Sequence, residues 1–255
     1  ASQKKSEDKA SPIMLKIFIP LFTLWFVQAT AQSMSGCIDN TASNYSSTAT
    51  VEDYSCIYNA TTLSMQPNDS HNLPAYLKET SGLAFYNNLY WTHNDDSSSK
   101  IYGIHPQTGE ISDSIDIQVT VNDWEDVQYL DGKFYIGDFG NNVNGARTNL
   151  RVFRYDVASQ LLDTVRFTYE NQSPVTAVAA NQTNFDCEAF LVTDSMLYLF
   201  TKQWASNRSE LHKVPNVAGN QVSRLQGDFN SQGLITGASF GNQEIILVGY
   251  TSLLM

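Results

Sequence analysis

Short apolar runs alternate with turn residues along most of the chain, and one such pattern recurs four times between residues 81 and 255. In each copy, a short apolar strand is followed by a two-residue turn and a second strand rich in Tyr, Leu and Ile. The turns are Asn87-Asn88, Asp131-Gly132, Asp194-Ser195 and Gly241-Asn242. Because these dipeptides tolerate the positive φ of tight hairpin turns, the pattern predicts four β-hairpins.

Further apolar segments predict third and outer strands beside the hairpins. The third strands are expected at 100–104, 150–155 and 210–214, and the outer strands at 111–121 and 162–169. The second strands recur at Tyr90, Tyr135, Tyr198 and Ile246, at spacings of 45, 63 and 48 residues. Four strands per unit of roughly 45 residues are typical of a propeller blade. No ten-residue segment has a helical period.

We therefore predict an all-β, propeller-like domain over residues 81–255, with three to four four-stranded blades. A β-sandwich or barrel stays open as the alternative, since it also contains many short strands, although its repeats are not self-similar at this period. The sequence stops just after a strong strand at Leu253-Leu254-Met255. Because a propeller ring needs its first and last blades to meet, we expect this ring to be incomplete.

The N-terminal region has the layout of a cleavable signal peptide over residues 14–31. Lys16 supplies the positive charge, an 11-residue apolar run follows from Ile17 to Val27, and Ala29-Thr30-Ala31 offers a cleavage site before Gln32. This run is too short to span a bilayer, so no transmembrane anchor is expected. Residues 1–13 precede the initiator-like Met14 and are interpreted as an upstream remnant.

Three cysteines are present, so one is left over after any pairing. Export permits disulfides, and Cys37 and Cys56 bracket a short polar loop, so we expect these two to be bridged. Cys187 is expected to be a small buried hydrophobe. The resulting Cys-bounded repeat is assigned to residues 32–62 and a linker to residues 63–80.

The chain carries a formal net charge of −11 and no basic run after the signal peptide. A nucleic-acid partner is therefore not expected. The acidity is explained by solubility or, alternatively, by cation binding.

Several motifs resemble those of known secreted proteins. Asn122–Val127, Tyr135–Asn142 and Phe185–Phe190 carry the patterns D-W-E-D, Y-I-G-D-F-G-N-N and F-D-x-E-A. With the rest of residues 80–255 they resemble uncharacterised secreted propeller proteins of bacteria, and the Cys37–Cys56 segment resembles a short repeat of secreted bacterial proteins. More distantly, the chain is similar to esterase-like, phytase-like and gluconolactonase-like propellers, in which E-G or E-A opens an innermost strand. The resemblance implies a secreted propeller and transfers no activity.

Glu125 and Glu188 are the main candidate site residues. Each stands ten residues before an aligned Tyr, at the start of a first strand. Since first strands line a propeller's central channel, the two carboxylates are expected to converge at one mouth, where they could hold Ca²⁺. Nearby candidates are Asp126, Asp186, Asn94 and Asp95. The alternative is that these acids accept hydrogen bonds from backbone amides between blades.

Two further candidates follow blade strands. The loop with Asp138 and Asn141 exposes polar atoms after a strand, although an internal ion pair between Asp138 and Arg147 also explains it. His93, which lies beside acids, is a candidate general base or a channel-rim residue without a role.

Two functions remain open at this point. The first is a secreted, non-enzymatic propeller that binds an extracellular glycan, protein or small molecule. The second is a calcium-dependent hydrolase of an ester, lactone or phosphoester. The sequence contains no H-E-x-x-H or P-loop motif, which favours the binding module.

Overall fold

The computed structural model describes residues 33–53, 55–59, 70–241, 244–250 and 253–254. All secondary-structure elements in this part of the chain are β-strands, which confirms the all-β prediction. The expected upstream segment and signal peptide lie outside the described residues, as does the first part of the expected linker. Within the described ranges, no helix is long and apolar enough to cross a bilayer.

The Cys-bounded repeat is a small two-stranded unit. Strand β1 (Ser35–Gly36) pairs in parallel with β2 (Val51–Glu52). A disulfide joins Cys37 to Cys56, whose Cα atoms are 4.8 Å apart, and Cys187 is a buried free thiol. The predicted pairing is therefore confirmed.

The remaining described chain forms four antiparallel meanders, which we call blades 1 to 4. Blade 1 consists of β3 (Thr80–Tyr86), β4 (Leu89–Asn94), β5 (Lys100–Ile104) and β6 (Ile111–Asp116). Blade 2 consists of β7 (Trp124–Leu130), β8 (Lys133–Asp138), β9 (Arg151–Asp156) and β10 (Leu162–Tyr169). Blade 3 consists of β11 (Asp186–Val192), β12 (Met196–Lys202), β13 (Ser209–Pro215) and β14 (Gly219–Phe229). Blade 4 contains β15 (Ile235–Gly241), β16 (Glu244–Gly249) and β17 (Leu253–Leu254).

Two strands differ from the sequence prediction. The outer strand β14 was not predicted, because its exposed polar residues hide the apolar pattern; it is held by parallel pairing with β10. The predicted outer strand 111–121 ends at Asp116. There, the Asp116 carboxylate accepts a hydrogen bond from the Gln118 N–H (3.0 Å), and Gln118 has a φ of 57°, so the chain turns out of the sheet.

The blades are ordered around a common centre. Their innermost strands lie side by side in chain order, β3 beside β7, β7 beside β11, and β11 beside β15. An apolar cluster fills each gap between neighbouring blades. Representative buried members are Trp91, Val127 and Phe134 for blades 1 and 2, Phe139, Phe190 and Leu199 for blades 2 and 3, and Leu191, Phe200 and Leu247 for blades 3 and 4. This arrangement is the propeller-like architecture that the sequence predicts.

Blades 2 and 3 are joined into one eight-stranded sheet through their outer strands, β10 and β14. The two end strands of this sheet, β7 and β11, also lie against each other, so the sheet nearly closes on itself. Asp126 connects them at the centre. Its carboxylate accepts hydrogen bonds from the N–H of Val127 (2.8 Å) and from the N–H of Phe190 in blade 3 (3.2 Å). Asp126 is therefore an acceptor between blades.

We expect Asp126→Ala to lower the free energy of unfolding by about 2–4 kcal/mol, because two buried N–H groups lose their acceptor. Asp126→Asn keeps one acceptor oxygen and should cost less than half as much. Urea unfolding followed by circular dichroism measures both, with the exposed turn variant Asp194→Asn as control. Equal stability of Asp126→Ala and the control would show that this acceptor does not hold the blades together.

Candidate functional site

The two candidate glutamates occupy the same structural position in successive blades. The register between β7 and β8 shifts between Trp124 and Asp126, and the register between β11 and β12 shifts between Cys187 and Ala189. Glu125 and Glu188 are thus the extra residues of two β-bulges. A bulge bends its strand and re-aims the side chain. The equivalent shift in β15 leaves Thr236 as the extra residue, and in β3 the shift spans Gly82.

The bulges bring three carboxyl groups together at the centre of blades 2 and 3. Oxygen atoms of Glu125, Asp186 and Glu188 all lie within 4.8 Å of one another, and all three residues are buried. The predicted convergence of Glu125 and Glu188 is therefore observed. We call these three residues the acidic cluster.

A fourth carboxylate and a glycine complete the surroundings. A Cβ atom built on Gly140 would stand 2.1 Å from Glu125 Oε1 and 2.4 Å from Asp123 Oδ2. The two carboxylates therefore converge on the backbone of Gly140, and only a residue without a side chain leaves room for them.

The members of the acidic cluster differ in their partners. Asp186 accepts hydrogen bonds from the Asn141 N–H and the Trp204 Nε1–H, both at 2.7 Å. Glu188 forms an ion pair with Lys202. The Glu125 carboxyl group has no hydrogen bond or cation among the described residues, although Glu125 is only 5% exposed. A buried carboxyl group without a partner is energetically unfavourable.

Burial and mutual repulsion shift the acids toward their protonated forms. Burial, followed by repulsion from Glu188 and Asp123, raises the pKa of Glu125 to about 10. Burial raises the pKa of Glu188 to about 7, with the Lys202 ammonium acting in the opposite direction. Burial likewise raises the pKa of Asp123 to about 6, although Arg147 opposes that shift. The site therefore resists full ionisation unless a cation compensates.

Lys202 is the cation closest to the acidic cluster among the described residues. It lies at the end of β12, is 1% exposed, and also donates a hydrogen bond to the Tyr250 hydroxyl (2.9 Å). Its Nζ atom lies 4.3 Å from the ring centroid of Trp204 and 4.5 Å from that of Tyr250. One ammonium group thus faces several carboxyl groups.

The donor set fits a hard divalent cation. Calcium binds carboxylate oxygens at about 2.3–2.6 Å, so ligands on opposite sides of the ion lie about 4.6–5.2 Å apart. The oxygens of the acidic cluster fall within that span. All three ligands are oxygens, which suits Ca²⁺ or Mg²⁺ better than zinc or copper.

Other predicted candidates have structural roles. Asp138 is fully buried and pairs with Arg147 (2.9 Å) and Arg151 (2.7 Å), as the alternative interpretation of that loop proposed. Asn141 accepts a hydrogen bond from the Arg147 N–H through its side-chain oxygen and gives its own N–H to Asp186. The loop therefore positions one member of the acidic cluster, Asp186, through a backbone hydrogen bond.

Three more candidates lie at the end of β4 (His93 and Asn94) and directly after it (Asp95). His93 is fully buried against the Trp124 ring, and burial lowers its pKa to about 4. Asn94 donates a hydrogen bond to the Tyr76 carbonyl (3.1 Å) and is part of the blade 1 structure. Asp95 is exposed; burial of part of its carboxyl group, followed by repulsion from Glu79, raises its pKa. It lies close enough to Asp123 and Glu125 to add to the repulsion there.

Sequence reasoning missed four residues of the site: Asp123, Gly140, Lys202 and Trp204. Asp123 and Gly140 belong to the D-W-E-D and Y-I-G-D-F-G-N-N motifs, which gave a usable signal. Lys202 lies opposite Asp186 in the β11–β12 pairing. A lysine at the end of an apolar strand, opposite an acidic residue, could therefore have indicated its role. Trp204 lies beyond that strand and had no comparable signal.

The sequence matches no protein-family model and no curated protein. Weak similarities to solved structures exist. The computationally designed Ika4 protein is 11% identical, with a TM-score of 0.38 over 74% of this chain and 97% of that chain. The designed Ika8 protein is 11% identical, with a TM-score of 0.33 over 70% of each chain. BamB from Moraxella catarrhalis is 9% identical, with a TM-score of 0.30 over 67% of each chain.

We expect Glu125→Gln to stabilise the cation-free protein increasingly as pH rises. The pKa of Glu125 is raised on folding, so its contribution to stability is complete below about pH 4.3 and is lost as pH rises toward 10. The gain from the substitution should grow by at most about 1.4 kcal/mol per pH unit in that window. Urea unfolding at pH 5, 7 and 9 in the presence of a chelator measures it. A gain that does not change with pH would contradict the raised pKa.

Proposed function

We propose that this chain is an extracellular binding module built on a propeller-like domain, and that the acidic cluster holds a calcium ion. The single observation that carries the proposal is the Glu125 carboxyl group. It is almost fully buried, it points at two other carboxyl groups, and it lacks a partner among the described residues. An ion at this position would supply the missing partner.

The burial of the acidic cluster favours an ion over an organic substrate. Glu125 and Glu188 are 5% and 8% exposed, respectively. Such burial leaves little room for a sugar ring or a phosphoester. For this reason we prefer the binding module to the calcium-dependent hydrolase.

The bound ion would act as a cross-link between blades. Glu125 belongs to β7 of blade 2, whereas Asp186 and Glu188 belong to β11 of blade 3. Coordination of one ion by residues from both strands would fix the two blades at the centre of the domain. The partner recognised by the module would then bind a rigid surface, which lowers the entropy that binding must overcome.

An extracellular location is consistent with the expected signal peptide and with the Cys37–Cys56 disulfide, since disulfides persist in oxidising compartments. Extracellular calcium modules have dissociation constants of about 10⁻⁴–10⁻³ M. We propose an affinity in this range, because Lys202 and the protonated Glu125 both oppose binding.

Calcium should raise the melting temperature of the chelator-treated protein. A concentration of 10 mM is about 10 to 100 times the proposed dissociation constant, so the ion adds about 1.4–2.7 kcal/mol, which corresponds to about 3–10 °C for a domain of this size. Differential scanning calorimetry with and without 10 mM Ca²⁺ measures the shift.

Two variants should abolish this shift. Glu125→Gln removes one ligand, and Gly140→Ala puts a methyl group where the carboxylates converge. Gly237→Ala is the matched control, because a Cβ atom there meets nothing within 4 Å. If calcium leaves the melting temperature of the wild type unchanged, or if Gly140→Ala responds like Gly237→Ala, the calcium site is not at this cluster.

A further inference from the structure

The ammonium group of Lys202 already pairs with one carboxylate of the acidic cluster. Its Nζ atom pairs with Glu188 Oε1, and Glu188 supplies one of the three oxygens of the acidic cluster. An ion that coordinates Glu188 and an ammonium that pairs with it compete for the same carboxylate. Two positive charges in one buried site also repel each other strongly.

Lys202 does not satisfy the whole cluster. Its ammonium pairs with Glu188 and lowers the pKa of Asp186, whereas Glu125 has neither a hydrogen bond nor an ion pair with it. A monovalent internal cation is therefore present, but it leaves the acidic cluster under-compensated.

Resting on the proposed calcium site, we propose that Lys202 is a built-in competitor that leaves Glu188 when a divalent cation binds. The ion and the Lys202–Glu188 pair are mutually exclusive. The Lys202–Glu188 pair thus sets the affinity of the site for cations. It also makes the site prefer divalent ions, because replacing the ammonium with a monovalent ion adds no positive charge to the acidic cluster.

The ammonium group has partners besides Glu188 that could retain it after displacement. The Tyr250 hydroxyl accepts a hydrogen bond from Nζ at 2.9 Å, and the rings of Trp204 and Tyr250 lie 4.3 and 4.5 Å from it. Aromatic faces attract ammonium groups. A short swing of the side chain away from Glu188 therefore keeps the charge solvated by these two residues.

This movement of the Lys202 side chain would link the ion site to a residue at the protein surface. Tyr250 is 66% exposed and precedes β17 in blade 4. Binding of the ion at the centre of blades 2 and 3 would change the environment of Tyr250 and of the Trp204 indole. The Trp204 fluorescence then reports ion binding, because the indole N–H donates to Asp186 and the indole ring lies against the Lys202 ammonium.

The test compares calcium binding to the wild type and to Lys202→Met by isothermal titration calorimetry. We expect the variant to bind Ca²⁺ at least tenfold more tightly than the wild type. Lys213→Met is the matched control, because Lys213 also rests over a tyrosine ring, that of Tyr198 at 5.3 Å, but lies outside the cluster. This control should bind like the wild type, and Na⁺ should produce no fluorescence change in any of the three.

The outcomes separate the two proposals. If the wild type binds calcium and Lys202→Met binds it with the same affinity, the competitor role is wrong and the calcium site stands. If neither protein binds calcium, the site itself is wrong. Should Lys202→Met fail to fold, Tyr250→Phe decides: loss of the second acceptor should weaken calcium binding several-fold, and unchanged affinity overturns the inference.

Discussion

The β-bulge at the start of each innermost strand is the constraint on which the rest of the site depends. In a regular strand, successive side chains point alternately to the two faces of the sheet, and Glu125 would follow this alternation. The extra residue in β7 and its counterpart in β11 re-aim Glu125 and Glu188 toward one point at the centre of the blades. Because the fold repeats the bulge, it also repeats the direction of the side chain.

The acids around this centre divide into two groups. Asp126 accepts backbone N–H groups from blades 2 and 3, and Asp138 pairs with two arginines within blade 2. Glu125 and Glu188 have fewer donors around them, and burial raises the pKa of each. The expected hydrogen bond between blades is therefore made by Asp126, whereas the cation site at Glu125 and Glu188 stays a proposal. Lys202 neutralises part of the negative charge of the second group by pairing with Glu188.

The sequence predicted the architecture better than the site. Hairpin turns and the recurring second strands identified the blades, and the ten-residue offset of Glu125 and Glu188 predicted their convergence. The outer strand β14 escaped because its faces are mixed in polarity. Trp204 escaped for a different reason: its importance arises from its hydrogen bond to Asp186, and no local pattern encodes such a contact.

The most direct test of the calcium site is the location of a bound ion by anomalous diffraction from a crystal soaked with Tb³⁺, a calcium mimic. We predict an anomalous peak about 2.3–2.6 Å from carboxylate oxygens of Glu125, Asp186 and Glu188. We also predict that the Lys202 ammonium is no longer paired with Glu188. A crystal whose bound Tb³⁺ lies elsewhere, with the Lys202–Glu188 pair intact, would contradict the proposed calcium site.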